Sequence, residues 1–304
     1  MELIWLEDFL ALAEIGNFSR AAEARNVTQP AFSRRIRALE AHLDTALFAR
    51  ASTGVTLTPA GLALRPGAEE IVRRVREVVR DVRRFGNEED ATLLFAATHA
   101  LSFTFFPTWI RGLERAGPVG SLRLISDSLE KCEAMMLQGD VQFLLCHHHA
   151  EAPARFPPDR FEARVVGADR LEPFSAPGPE GEPLWSLDHA AEEVPHLAYS
   201  SESGLGRILS ATVLRQGSAE RLKTVVTSHL AAALKSLALD GRGLAWLPRA
   251  IVEEDLAAGR LVPAQGGDDW SVEVDILLLR PLTHQSLPAE KFWSLMTAVP
   301  NRLK

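Results

Sequence analysis

The sequence predicts an α/β protein with a small helical head that carries a two-stranded wing, followed by a larger part built from two open-sheet lobes. Three observations carry that reading. Apolar residues recur at helical spacing in three short segments within the first 45 residues. A single amphipathic stretch then occupies residues 59–85, and from residue 91 onward short apolar runs alternate with helical segments, as in an open α/β sheet. The chain has 304 residues, of which 46% are hydrophobic, enough for two or three domains with their own cores.

Leu3, Leu6, Phe9, Leu10 and Ala13 mark the first helix, which Gly16-Asn17 ends. Ser19 is expected to cap the second, SRAAEAR. After a turn at Asn26-Val27 the third helix begins, with Thr28 as its cap, Pro30 in its first turn and Phe32, Ile36, Leu39 and Leu43 as its buried stripe. Helix, four-residue turn, helix is the helix-turn-helix pattern. The third helix bunches Arg34, Arg35 and Arg37 within four residues. Gln29, Ser33, Arg34 and Arg37 fall on or beside the face opposite the apolar stripe. Arginine there can read guanine or neutralise phosphate, and glutamine can pair with adenine; a solvated basic helix is the plain alternative. Leu47-Phe48 and Val55-Thr56-Leu57, separated by Ser52-Thr53-Gly54, then form the wing. In residues 59–85, Ala68, Ile71, Val72, Val75, Val78, Val79, Val82 and Phe85 make an apolar seam suited to a second helix, with arginines on the other faces.

The net charge of −7 argues against a chain that coats nucleic acid, but its distribution matters more: residues 1–58 carry −1, residues 59–85 carry +3, and the remainder carries −9. Glu2, Glu7 and Asp8 stand where a signal peptide would have lysine or arginine, and no apolar stretch reaches 18 residues. The expectation is a cytoplasmic protein with no membrane segment. Cys132 and Cys146 are too few for a disulfide framework.

The pieces FSRAAEARNVTQPAFSRRIRALEAHL, LFAR and VTLTPAG, spread in order over residues 5–61, resemble the winged helix-turn-helix of LysR-type transcriptional regulators. The resemblance implies that Ser19, Thr28, Gln29, Pro30, Ser33, Arg34 and Arg37 face double-stranded promoter DNA, with Arg50 and Thr53 near its backbone. It implies a partly palindromic site, a homodimer through residues 59–85 and pairing of dimers into a tetramer. Asp44 departs from the pattern, which commonly has glycine after the third helix; aspartate tolerates a left-handed conformation, so the turn is expected to survive.

Beyond GNEEDA, LLFAAT leads to a helix through TFFPTWIRGLERA, SLRLIS to SLEKCEAMMLQG, and DVQFLLCH stands alone. PHLAYS then leads to a helix near GRILSATVLRQ, KTVVTS to HLAAALKSLALDG, and GLAWLP to RAIVEEDLAAG; VEVDILLLRP and AEKFWSLMTAV return to the first lobe. This part, LALDGRGLAWLP above all, is similar to the effector domain of the same family. That resemblance implies two Rossmann-like lobes like those of type 2 periplasmic solute-binding proteins. The expected division is 1–58 for the DNA-binding domain, 59–87 for the linker helix and 88–304 for the effector domain, with lobe I at 91–166 and 267–304 and lobe II at 167–266.

In such lobes ligands sit at the carboxyl ends of strands, where helix N-termini offer free N–H groups. The candidate residues are Thr98, His99 and Ser102, His147, Ser200, Ser201 and Ser203, and Thr227 and Ser228, and the expected ligand is a small organic anion that draws the lobes together. Any single serine there could simply cap its own helix. Cys146 to His149, CHHH, invites a metal reading, but alternation along a strand leaves two ligands on a face, and no metal or other cofactor is expected. YSSESGLGRIL and LDGRGLAWLP also resemble a hypochlorite-responsive subgroup of the family. The matching positions carry Leu113, Leu205 and Leu230 in place of methionine, so methionine switching is not carried over. An oxidant-responsive regulator is the alternative, and a solute-binding protein the rival from another class. No nucleophile elbow, phosphate-cradling loop or paired metal motif suggests an enzyme.

Overall fold

A computed structural model describes residues 1–51, 54–84, 92–152, 155–188, 193–215, 221–265, 267, 269–283 and 285–298, which fall into two compact units. The head holds α1 (Leu3–Ile15), α2 (Phe18–Ala24), α3 (Gln29–His42), β1 (Phe48–Ala51), β2 (Gly54–Leu57) and α4 (Pro59–Arg84). Its core joins Leu6, Phe9 and Leu12 of α1 to Ala21 and Ala22 of α2 and to Phe32, Ile36 and Leu39 of α3; Ala68 and Val72 of α4 complete it. Leu43, expected in the stripe, is only partly buried.

The second helix is capped two residues earlier than expected. Asn17, not Ser19, accepts the N–H groups of Ser19 (3.0 Å) and Arg20 (3.1 Å), because its longer side chain reaches back over the first turn. Thr28 occupies the cap position of α3 but makes no side-chain cap bond. Asp44 adopts φ 49°, so the turn after α3 forms without glycine. The wing strands pair antiparallel, Phe48 opposite Leu57. Gly54 lies so close to the end of α1 that a Cβ would meet the Gly16 carbonyl oxygen at 2.6 Å, and Val55 N–H bonds that same oxygen at 2.9 Å.

The larger unit is built on a sheet formed by β3 (Leu93–Thr98), β4 (Leu122–Asp127), β5 (Phe143–His148), β6 (Phe161–Ser175), β9 (Ala245–Pro248), β10 (Val262–Pro263) and β11 (Val272–Pro281). The order is β10-β6-β11-β5-β3-β4, with β9 also on β6; β3 runs parallel to β4 and β5, and β11 antiparallel to β5 and β6. β6 was not foreseen, since Gly167, Asp169, Arg170 and Pro173 interrupt its apolar run. It can hold both characters because it passes from one lobe to the other: Phe161 to Leu171 pair with β11, and Leu171 to Ser175 with β9 and β10. β7 (Val194–Tyr199) and β8 (Leu222–Ser228) form a parallel pair in the second lobe.

The helix expected through residues 104–116 is α6 (Phe106–Glu114), and a separate short helix not foreseen, α5 (His99–Thr104), precedes it. Pro107 has no N–H to continue the ladder, so the chain restarts there. α7 (Leu129–Gln138) and α11 (Leu287–Ala298) belong with the first lobe, and α8 (Gly204–Ala211), α9 (Ala231–Leu239) and α10 (Arg249–Ala257) with the second. Each lobe has its own core, one around Phe95, Trp109, Phe143 and Phe292, the other around Trp246, Phe174, Leu197 and Leu234. Among the described residues, no helix is long and apolar enough to cross a membrane.

Candidate functional site

Helical spacing puts Phe32, Ile36 and Leu39 of α3 in the core, and Gln29, Arg34 and Arg37 consequently emerge exposed, with Ser33 half-buried beside them. Gln29 Nε2 donates to Ser33 Oγ at 3.3 Å. Ser19, Thr28 and Pro30 are exposed as well. The Arg50 side chain and all of Thr53 lie outside the described residues. The third arginine of the cluster takes another course: Arg35 Nη1 reaches Asp8 Oδ2 at 3.3 Å, and Arg25 Nε reaches Asp8 Oδ1 at 2.9 Å. Asp8 has a fully buried side chain. Glu7 binds Arg25 (2.6 Å) and Arg76 of α4 (3.0 Å). Burial alone would raise the Glu7 carboxyl; the two guanidiniums hold it below the usual carboxylate range. Charges on α1, α3 and α4, with Arg25 just after α2, therefore fix α3 against the rest of the head while leaving Arg34 and Arg37 free of that network.

Along α4 the expected seam divides. Ala68 and Val72 are used inside the head, whereas Ile71, Val75, Val78 and Val79 are 36–50% exposed in one row. The side chain of Val82 and all of Phe85 lie outside the described residues.

Between the lobes lies a cavity of about 30 Å³, where the N-termini of α7, α8 and α9 meet. Of the nine residues expected there, Thr98, His99, His147 and Ser203 line it. Ser102 stands one layer behind, and Ser203 Oγ is engaged as cap of α8 by Gly206 N–H at 3.4 Å. Ser201 and Thr227 are exposed and do not line the cavity, and Ser228 Oγ accepts the Leu230 N–H at 3.1 Å. Ser200 Oγ is buried away from the lining, without a partner among the described residues. Lining residues not singled out include Asp127 and His229 at strand ends and Leu129 and Leu205 in the first turns of α7 and α8.

Behind the lining, His147 Nε2 approaches Asp169 Oδ2 at 3.7 Å, both side chains being almost fully buried. Burial, with Asp169 nearby, raises the Tyr199 phenol far above its usual range. His99 Nδ1 meets Ser126 Oγ at 3.0 Å, and burial holds the His99 imidazole below its usual value, opposed by Asp127 and assisted by His229. The lobes are held together beside the cavity. Arg207 Nη1 of α8 donates to both carboxylate oxygens of Glu133 on α7 at 2.8 Å, and a Cβ at Gly204 would meet Leu129 at 2.7 Å.

Cys132 and Cys146 are buried, and burial pushes their thiols up to about 12, which disfavours the thiolate. Of the CHHH run, His147 alone faces the cavity.

Residues 3–62 match the family described as "bacterial regulatory helix-turn-helix protein, lysR family", and residues 86–300 match the "LysR substrate binding domain". The HTH-type transcriptional regulator YjiE of Escherichia coli (strain K12) is 30% identical over 96% of this chain and 93% of its own length. Among solved structures, Vibrio fischeri DarR in complex with DNA is similar with TM-score 0.56 and 30% identity, covering 98% of this chain and 99% of that one. Full-length HypT of Salmonella typhimurium, described as a hypochlorite-specific LysR-type regulator, is similar with TM-score 0.57 and 29% identity, covering 98% and 99%.

Proposed function

The chain belongs to the LysR family of transcriptional regulators, and we propose that α3 reads duplex promoter DNA in the major groove while a small carboxylate in the interlobe cavity governs that binding. For DNA, the observation that carries the reading is the division of the α3 arginines: Arg35 is turned inward onto Asp8, and Arg34 and Arg37 are left exposed beside Gln29. The similar DarR has been solved on DNA, which supports the same use of this head. Ser19, Thr28, Pro30 and Ser33 would contact the backbone around the base-reading groups, with Arg50 and Thr53 of the wing outside them. Arg34→Ala is expected to weaken binding to a selected site by about 1–3 kcal/mol in fluorescence anisotropy. Unchanged affinity across salt concentrations removes Arg34 from base contact.

The exposed row on α4 supports a homodimer, which can address two half-sites where a monomer addresses one; a pair of dimers is the proposed full assembly. Its place of action is then the cytoplasm, with the promoter. For the effector, the meeting of three helix N-termini at one cavity carries the reading, since their first N–H groups lack helical partners and favour negative charge. The domain's −9 opposes an anion weakly, because screening confines distant charges to about 8 Å at physiological salt. Thermal shift against a panel of small carboxylates tests this, with Thr98→Val as the lining variant. A panel that stabilises both proteins equally places the ligand elsewhere.

A further inference from the structure

An anion in this cavity lacks a permanent positive partner. Among the described residues, no lysine or arginine lines it; the side chains there that can become cationic are His99, His147 and His229. Carboxylates are already close: Asp127 on the lining, which Lys131 approaches at 3.4 Å, and Asp169 behind His147. The ionic groups that α9 and α10 bring towards α5 are paired, Lys235 with Asp255 at 2.9 Å and Arg249 with Glu172 at 3.1 Å. Helix N-termini contribute only partial charge. A full negative charge entering here therefore needs a compensating proton.

One of the three histidines is built to take it. His99 Nδ1 is joined to Ser126 Oγ (3.0 Å), which is joined to Ser102 Oγ (2.9 Å), which also lies 3.2 Å from the Thr98 carbonyl oxygen. Each serine hydroxyl donates once and accepts at its lone pairs, so the chain has two complete polarities. With the ring uncharged, Ser102 donates to Ser126 and Ser126 donates to Nδ1, leaving the ring proton on Nε2. With the ring charged, Nδ1–H donates to Ser126, Ser126 donates to Ser102, and Ser102 donates to the Thr98 carbonyl. No hydroxyl loses its partner in either state. A fixed acceptor in place of Ser126 would favour one state, whereas this relay serves both.

We propose that the effector anion binds together with one proton taken from solvent, received at Nδ1 of His99 and accommodated by reversal of the Ser126–Ser102 relay. The proposal rests on reading the cavity as the anion site and names how that site is charged and how pH governs it. Burial holds the His99 imidazole below its usual value, which favours the uncharged ring until a negative charge lies beside it. Anion binding favours the protonated ring, so affinity is highest at low pH and falls as pH rises.

The experiment titrates the full-length protein with sodium formate, acetate and propionate between pH 7.0 and 8.5, following the shift in melting temperature for an apparent Kd. One linked proton predicts about tenfold weaker binding per pH unit. His99→Gln is expected to flatten the dependence to less than twofold per unit, whereas His147→Gln and His229→Gln keep it. Ser126→Ala, which breaks the relay and leaves the ring, should cost affinity mainly at the low end of the range. The parent alone gives a second readout: calorimetry at pH 7.5 in two buffers of different ionisation enthalpy should show heats that differ by the uptake of about one proton. Binding with equal heats in both buffers overturns the proton linkage and leaves the anion site standing. A pH dependence that disappears in His147→Gln but survives in His99→Gln overturns the assignment to His99. Absence of binding by all three probes overturns the anion site itself, and this inference with it.

Discussion

Asp8→Asn isolates what holds the DNA-facing helix in place. The change is isosteric, so the packing around Phe9 and Leu12 is kept, while the charge is lost and one of the two acceptor oxygens becomes an NH2 that cannot accept from an arginine. In the parent, Asp8 accepts from Arg25 at 2.9 Å and from Arg35 at 3.3 Å with its side chain wholly buried. Hydrogen bonds to charged groups contribute about 1.5–3 kcal/mol each. The two arginines are 26% and 28% exposed, so water recovers part of that when the carboxylate is gone. Arg25 also keeps Glu7. The expected net loss is about 2–3 kcal/mol. Because a two-unit chain need not melt in one step, hydrogen exchange resolved by peptide is the suitable assay. Amides of α1 to α3 should lose roughly 30- to 150-fold in protection, at about tenfold per 1.4 kcal/mol, while those of the larger unit are unchanged. Arg35→Met should show a smaller loss, and the two changes together should be less than additive, since they remove one shared interaction. Strict additivity, or a loss below threefold, refutes the account of Asp8 as the anchor of α3. Arg34→Ala and Arg37→Ala supply the contrast: both should weaken DNA binding with exchange in the head unaltered.

Two further predictions concern association and acid stability. Val75→Asp puts a charge into the exposed apolar row of α4, so the variant should run as a lower-mass species in light scattering and bind DNA more weakly; an unchanged mass shows the row is not the dimer seam. His196 is buried, 5.4 Å from Trp246, and burial holds its imidazole at about 4 against an ordinary 6.5. Its pKa is depressed in the folded state, so between pH 6.5 and 4 the unfolded chain binds the proton that the folded chain refuses. Stability of the second lobe should fall as pH falls through that window, by at most about 3 kcal/mol. In His196→Leu that component of the pH slope should vanish in urea titrations; an unaltered slope assigns the acid loss to other groups.

How much was legible in the sequence follows from how local each signal was. The head was legible because α1, α3 and α4 each carry apolar residues at helical spacing over more than ten residues, and these meet with α2 in one core. The cap of α2 was misplaced because Asn17 and Ser19 are both good cap residues two positions apart, and only the path of the chain decides between them. β6 was missed because a strand that crosses between lobes changes its buried face midway and carries Gly167, Asp169 and Pro173 where an ordinary core strand would carry apolar side chains. In the cavity, the strand-end rule found Thr98, His99, His147 and Ser203, since it depends on topology. It could not separate Ser203 from Ser201, because the direction of a side chain at a strand end depends on the turn that follows. Asp169 and Arg207 carry no local signature, as their roles arise from partners far away in sequence.

The dimensions of the cavity bear on how an effector could act. The cavity is small, about 30 Å³, and the lobes are already joined by the bidentate Arg207–Glu133 pair and by Leu129 against Gly204. The lobes are thus latched beside the cavity in this structure, and a ligand larger than the cavity has to act against that latch. A three-atom anion such as formate can bind with the lobes nearly as they are. A larger carboxylate must bind a more open arrangement, and then shifts the equilibrium only by its differential affinity for the two. Breaking the latch distinguishes these cases. Arg207→Met leaves Glu133, 4% exposed, with Arg155 at 3.4 Å as its remaining cation. The closed state should weaken by about 2–4 kcal/mol, since removing one partner of a buried pair strands the other. Benzoate should then bind Arg207→Met more tightly than the parent, because less closure has to be undone, while formate should bind equally or more weakly. If both ligands lose affinity to the same extent, the lobes do not open to admit the larger one, and Arg207 acts on the site through local structure alone.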